Sequence, residues 1–165
     1  MMSDPILRAI ILGAERVAAW ADLLDSINVF PIADGDTGRN LKISLAPLRD
    51  IGSDRDRTVH RLLVHARGNS GNIAARFFSG FLSADSPESV PAAARLGRDR
   101  AWEAVHDPKP GTMLTLFDAL VSALEGAPAG SGNSFAHSII ERLEEAVRST
   151  TDLLPKLREA GVVDS

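Results

Sequence analysis

Apolar residues recur every three or four positions along most of the chain, which is the spacing of one face of an α-helix. The first series begins after Asp4-Pro5, a capping residue followed by a proline suited to the first helical turn, and continues to Leu24. Seven further series cover about residues 38–48, 57–66, 73–81, 90–105, 113–124, 135–150 and 152–161. No segment alternates apolar and polar residues as a strand does, so the pattern predicts an all-α fold, a helical bundle or barrel.

Polar segments rich in glycine, proline or asparagine separate the predicted helices. Residues 28–38, 67–71 and 106–111 are predicted to be loops, and residues 126–132 a flexible turn. Each of the three loops leads into an apolar helix through a glycine that adjoins a serine or threonine. If these loops meet at one end of the fold, they would surround a polyphosphate, because helix N-termini attract anions.

Composition narrows the possible functions. A chain of 165 residues with 44% hydrophobic residues is sufficient for one domain with a sizeable core. Its 18 basic and 22 acidic residues give a net charge of −4, which disfavours nucleic acid and anionic membranes as partners. The absence of cysteine excludes disulfides, zinc–thiolate sites and cysteine nucleophiles, and makes the cytoplasm the expected compartment. Charged residues interrupt the first apolar series, so it is neither a signal peptide nor a membrane span.

The first loop holds Asp34-Gly35-Asp36-Thr37-Gly38 and is preceded by Asn28. A glycine-rich turn lets two carboxylates converge on one point, where they repel each other unless a cation lies between them. Oxygen ligands suit Mg²⁺ or Ca²⁺ and the helix start suits phosphate, so the loop indicates a metal–nucleotide site. An EF-hand starting here is excluded, because its twelfth position is Leu45 instead of glutamate. An Asx-turn with an acidic helix cap, which needs no metal, fits the local pattern equally well.

The second and third loops carry weaker signals. Gly68-Asn69-Ser70-Gly71 lacks the lysine of a Walker loop and the second glycine of a nucleophile elbow. It therefore offers a serine and several backbone N–H groups to an anion, or serves as a plain helix cap. Lys109-Pro110-Gly111-Thr112 again precedes a helix and is uninformative alone. None of the four histidines forms a ligand pair at metal-binding spacing.

Four ordered segments of the chain resemble a known family. Residues 28–40, 66–73, 109–115 and 157–165 are similar to motifs of the nucleotide-binding domain of bacterial fatty acid kinases, which is related to the L subunit of dihydroxyacetone kinase. The resemblance is strongest to the N-terminal domain of the fatty acid kinases. It implies an antiparallel eight-helix barrel that binds ATP or ADP at one rim, with two Mg²⁺ ions bridging the phosphates.

The resemblance also implies roles for individual residues. Asn28, Asp34 and Asp36 match the three metal ligands, the first of which is aspartate in the dihydroxyacetone kinase branch. Positions that bind phosphate in the family are matched by Thr37, Gly38, Asn40, Asn69 and Ser70. Positions beside the nucleotide, or at the start of the last nucleotide-contacting turn, are matched by Thr112, Met113 and Asp164.

Three departures from the family pattern qualify this expectation. Thr37 replaces a histidine typical of the dihydroxyacetone kinase branch, which favours the fatty acid branch. Arg39 stands where a small residue is common, and it would either contact phosphate or crowd the site. The family motif continues beyond Asp164-Ser165 with glycines and a closing helix. We therefore expect residues 1–165 to form a single L-type domain truncated at its C-terminus, which would leave the barrel without that helix.

The sequence thus predicts a cytoplasmic nucleotide–Mg²⁺-binding domain of a two-component kinase. Such a domain would transfer the γ-phosphoryl group to an acceptor presented by a partner, a protein-bound fatty acid in the fatty acid branch, and would be inactive alone. A carboxylate acceptor needs no general base, because it is already ionised at neutral pH. Two alternatives remain: a dihydroxyacetone kinase-type subunit, which works with a dihydroxyacetone-binding partner, and a non-catalytic helical interaction module that has lost the nucleotide.

Overall fold

Helices account for the regular structure of the chain. The computed structural model describes residues 4–52, 54–126 and 132–164, and no β-strand occurs in these ranges, which confirms the all-α class. The α-helices of these ranges are α1 Asp4–Ala19, α2 Ala21–Ile27, α3 Thr37–Leu45, α4 Arg55–His65, α5 Gly68–Phe81, α6 Val90–Glu103, α7 Met113–Glu125, α8 Gly132–Leu153 and α9 Pro155–Ala160. Short 3₁₀ helices cover Ala46–Asp50 and Pro87–Ser89.

Most of the predicted helices are present, with shifts at their ends. The first predicted helix is interrupted at Trp20, whose ψ of 10° separates α1 from α2. Residues 68–71, predicted to lie in a loop, already form the first turn of α5. The last helix begins at Pro155 and not at Asp152, because proline fits the first turn of a helix. Of the turn predicted at 126–132, residues 127–131 lie outside the described residues.

The core is built around α5. This helix packs against α3, α4, α6 and α7, and its Ala74, Ala75 and Phe77 are buried. On one side it meets a cluster that includes Leu41 and Leu62. On the other side the ring of Phe77 stacks on that of Phe117 in α7, with centroids 4.0 Å apart. The two clusters anchor α5 in position, and its first turn with it.

Within the described ranges, the first and last helices of the chain do not pack on each other. In the part of the chain that the structure describes, α8 contacts α7 and α9, and neither α8 nor α9 packs against α1, α2 or α3. The closed eight-helix barrel therefore stays a prediction. None of the helices within the described ranges combines the length and the apolar content that crossing a membrane requires.

Two glycines bring α5 and α6 into backbone contact. A Cβ placed on Gly80 would lie 2.5 Å from the backbone nitrogen of Gly97, and a Cβ on Gly97 would lie 2.5 Å from the carbonyl oxygen of Phe77. Both distances are far below van der Waals contact, and the opposing atoms belong to rigid helical backbone. The crossing of α5 and α6 therefore requires glycine at both positions.

Replacing Gly80 by alanine should lower the free energy of unfolding by about 1–3 kcal/mol, because the added methyl group forces the two helices apart. The matched control is Gly13→Ala in α1, where a Cβ would meet nothing within 4 Å. That substitution should stabilise the protein by roughly 0.5–1 kcal/mol, because alanine favours the helix. Urea unfolding of both variants measures the difference. Equal effects of the two substitutions would contradict the close crossing.

Candidate functional site

A cavity of about 730 Å³ opens where three helices begin. The first residues of α3, α5 and α7 line it, together with the connection between α6 and α7. The end of α8 lies close by, since Leu153 and Leu154 flank Gly111 in that connection. Helices that end near the cavity thus alternate along the chain with helices that begin there. Because of this alternation, the three glycine-containing loops meet at one place.

The cavity gathers residues from distant parts of the chain. Ten of the eleven site residues expected from the sequence line it, namely Asn28, Asp34, Asp36, Thr37, Asn40, Asn69, Ser70, Thr112, Met113 and Asp164. Gly38 is the exception, because it is buried against α2, where a Cβ would lie 1.9 Å from the carbonyl oxygen of Ala21. Its role in this structure is the close packing of α2 on α3.

The side chain of Asn28 closes the acidic loop. This residue is 7% exposed, and its amide nitrogen donates a hydrogen bond to the hydroxyl of Thr37. Its amide oxygen accepts the backbone N–H of Gly35 at 3.3 Å. Gly35 has φ of 65°, a left-handed conformation that favours glycine. The two bonds hold the loop as one compact turn, with Asp34 and Asp36 both lining the cavity.

Asp25 caps α3 from the preceding helix. Its Oδ1 accepts the backbone N–H of Gly38 at 2.7 Å and that of Arg39 at 3.1 Å. These are two of the N–H groups that a helix leaves unpaired at its start. The side chain of Asp36, which stands at the usual capping position, makes no capping bond. The carboxylate of Asp36 is therefore left to the cavity, while Asp25 satisfies the helix.

Ser44 holds the start of α5 against α3. Its side chain is fully buried, donates to the carbonyl of Asn40 at 2.6 Å and accepts the backbone N–H of Arg67 at 2.9 Å. A Cβ on Gly71 would lie 2.1 Å from the Ser44 oxygen, and a Cβ on Gly68 would lie 2.4 Å from the side-chain nitrogen of Asn40. Glycine at these positions lets the first turn of α5 approach the polar groups of α3.

The starts of α5 and α7 remain open to an anion. Neither Arg67 nor Thr112, the residues at the capping positions, forms a side-chain capping bond. Thr112 instead donates its hydroxyl to the carbonyl of Lys109 at 2.9 Å. As far as the structure describes the chain, the first N–H groups of α5 and α7 therefore have no side-chain cap, and they border the cavity together with the positive ends of the helix dipoles. This arrangement favours a bound phosphate or carboxylate.

The charges around the cavity are mostly negative. Among the described residues, Asp34, Asp36, Asp107 and Asp164 line it together with one lysine, Lys109, and His106. Across the described ranges, no protein group forms a hydrogen bond or ion pair with the side chains of Asp34, Asp36, Asn40, Asn69 and Ser70. Polar groups that face a cavity without protein partners are available to a ligand. A polyphosphate would need a cation to enter beside these carboxylates.

The oxygen ligands of the acidic turn suit Mg²⁺ that is also bound by water and phosphate, and they are too few to hold a metal ion by themselves. Within the described residues, no three His, Cys, Asp or Glu side chains come together as a metal site. Asp34 and Asp36 provide two carboxylates, and Asn28 and Thr37 provide neutral oxygens at the same turn. Mg²⁺ typically takes one or two carboxylates and completes its shell with water and phosphate oxygens. The residues present therefore suit Mg²⁺ that arrives with a phosphate ligand.

Comparison of the sequence with known proteins identifies a family and several relatives. A family model described as DAK2 domain matches residues 31–165. An uncharacterized protein of Staphylococcus saprophyticus and one of Staphylococcus aureus strain USA300 are each 36% identical over 173 residues, which covers 94% of this chain. The chain spans only 31% and 32% of the lengths of these two relatives.

Asp25→Ala should lower the free energy of unfolding by about 1–2 kcal/mol, the usual cost of removing a helix cap. Asp22→Ala is the control on the same helix, since Asp22 is exposed and lies in the first turn of α2. It should cost at most about 0.5 kcal/mol through the helix dipole. Urea unfolding measures both variants. A loss for Asp25→Ala no larger than that for Asp22→Ala would show that the cap does not hold α3.

Proposed function

Because the chain belongs to the DAK2 domain family, which is part of the dihydroxyacetone kinase family, we propose that it binds ATP or ADP with Mg²⁺ as one component of a kinase. One observation carries the proposal. Three helix starts meet at one cavity together with an acidic turn, and within the described ranges the side chains of Asp34, Asp36, Asn40, Asn69 and Ser70 that line it have no protein hydrogen-bond or ion-pair partner. A magnesium–nucleotide complex matches both the carboxylates and the helix starts.

Asp34, Asp36 and Asn28 would hold the metal at the acidic turn. A bound Mg²⁺ supplies neutralisation of phosphate charge and orients the phosphates. Asn28 would keep its structural bonds to Thr37 and Gly35 while presenting its remaining oxygen lone pair. The second ion expected from the family would be held mainly by phosphate oxygens, because nowhere in the described ranges do three His, Cys, Asp or Glu side chains come together as a metal site.

The phosphates would be bound by α5 and α3. Asn69 and Ser70 provide side chains beside the open N–H groups of the α5 start, and Asn40 faces them from α3. The nucleoside would lie towards Thr112, Met113 and Asp164. Apolar residues line the cavity as well, among them Phe30, Ile73, Val105 and Leu114, and provide surface for a base.

Arg39 does not obstruct this arrangement. Its backbone N–H is bound by Asp25, its side chain is exposed, and it is not among the described residues that line the cavity. Arg39 therefore does not crowd the cavity, which favours a nucleotide-binding domain over a non-catalytic interaction module.

The acceptor would come from a partner domain or subunit. Phosphoryl transfer needs mainly positioning and charge neutralisation, which a rigid cavity with a metal turn provides. We place this chain in the fatty acid kinase branch, because Asn28 and Thr37 stand where the other branch has aspartate and histidine. The acceptor would then be the carboxylate of a protein-bound fatty acid, and the product an acyl phosphate. The reaction would take place in the cytoplasm.

Addition of ADP with Mg²⁺ should raise the unfolding temperature of the purified chain, whereas ADP without metal should have little effect. At a ligand concentration of 100 Kd the stabilisation should be roughly 2.7 kcal/mol. Asp34→Asn and Asp36→Asn should abolish it, because each removes a carboxylate that the metal requires. Asp50→Asn, an exposed position paired with Arg61, is the matched control and should leave it unchanged.

Thermal unfolding monitored by circular dichroism, with isothermal titration calorimetry, provides the measurement. The absence of any shift in the unsubstituted chain would overturn the proposal and favour the interaction module. A shift that persists in both Asp34→Asn and Asp36→Asn would show that the nucleotide binds without the acidic turn.

A further inference from the structure

Lys109 carries the one lysine charge among the described residues that line the cavity, and it is held by a neighbour. Its Nζ lies 2.9 Å from Oδ1 and 2.8 Å from Oδ2 of Asp107. The Lys109 side chain is 48% exposed and that of Asp107 is 73% exposed. An ion pair in this much solvent contributes little stability, so its partners separate readily.

The backbone of Lys109 is firmly anchored, in contrast to its side chain. Pro108 and Pro110 restrict the chain on either side. The carbonyl of Lys109 accepts the hydroxyl of Thr112 at 2.9 Å. The backbone of Gly111, with φ of 83°, is pressed against the end of α8, where a Cβ would lie 2.9 Å from that of Leu153. The backbone of Lys109 is thus fixed, whereas the ammonium at the end of its long side chain is held only weakly.

We propose that Lys109 is a phosphate-contacting residue of this site and that Asp107 is its resting counter-ion. When the anionic ligand enters, the Lys109 ammonium would leave Asp107 and bind a phosphate oxygen. Asp107 would weaken binding of the anionic ligand in two ways, because it competes for the Lys109 ammonium and because it adds a negative charge to the cavity. This inference rests on the proposed nucleotide binding and assigns to it a residue at the α7 side of the site.

The proposal gives the two partners of the ion pair opposite effects on ligand affinity. Lys109→Gln removes the charge that meets the phosphate and should weaken binding of Mg²⁺·ADP roughly tenfold, as expected for a charged hydrogen bond. Asp107→Asn frees the lysine and should tighten binding severalfold. A pair with only a structural role would weaken binding, or leave it unchanged, in both variants.

A double-mutant cycle separates competition from a general charge effect. If Asp107 acts through Lys109, most of the gain from Asp107→Asn should disappear in the Lys109→Gln background. Lys109→Arg should restore much of the affinity. Lys42→Gln and Asp22→Asn change the same charges at exposed positions outside the cavity, and both should leave affinity unchanged. Isothermal titration of Mg²⁺·ADP into each variant provides the dissociation constants.

The small number of lysines allows a direct observation of the switch. The chain contains only Lys42, Lys109 and Lys156, so ¹³C-methylation, which keeps the charge, gives few signals to assign by Lys→Gln variants. Addition of Mg²⁺·ADP should shift the Lys109 signal and leave that of Lys42 in place. An unshifted Lys109 signal in a protein that binds the ligand would overturn the proposal.

These measurements distinguish the proposed nucleotide binding from the proposed role of Lys109 and Asp107. If the unsubstituted chain does not bind Mg²⁺·ADP, the proposed function fails. If it binds but Lys109→Gln retains full affinity, or if both variants weaken binding equally, only the role of Lys109 and Asp107 is overturned. Weaker binding in Lys109→Gln together with tighter binding in Asp107→Asn supports it.

Discussion

The hydrogen bonds from the start of α3 to the Asp25 carboxylate fix the junction on which the rest of the site is built. They join α2 to α3, and the missing side chain of Gly38 lets α3 lie directly on Ala21. With both helix ends fixed, the segment between them forms a short turn that Asn28 closes. The contact through Ser44 then places the start of α5 beside this turn. The cavity is therefore a consequence of how α2, α3 and α5 meet.

The same junction distributes charge within the cavity. A helix start attracts an anion, and at α3 the protein supplies that anion itself through Asp25. At α5 and α7 the residues at the capping positions form no side-chain bond to the helix, and these helix starts face the cavity. Asp34 and Asp36 thus lie on the α3 side of the cavity and open N–H groups on the α5 side. A polyphosphate accompanied by a cation matches this division, whereas a free anion or a free metal matches only half of it.

Local patterns in the sequence were sufficient for the fold class and for most helices, because apolar periodicity directly reflects which face is buried. The loops that contain Asp34, Ser70 and Thr112 were identified by glycine and by resemblance, and the structure brings them to one cavity. The role of Asp25 was missed, because the N–H group that it binds belongs to Gly38, which lies beyond the next loop and 13 residues along the chain. Ser44 and the contact of Gly80 with Gly97 were missed for the same reason, since periodicity carries no information about which helices touch.

Paramagnetic broadening by Mn²⁺, used in place of Mg²⁺, tests most directly whether the acidic turn and the helix starts form one metal–nucleotide site. With ADP present, amide signals of the ¹⁵N-labelled chain should broaden at residues 34–40 and 68–70 together, with weaker effects near 112–113. With Mn²⁺ alone, broadening should require much higher metal concentrations. Broadening confined to residues 34–36 whether or not ADP is present, or scattered over exposed carboxylates, would contradict a shared site.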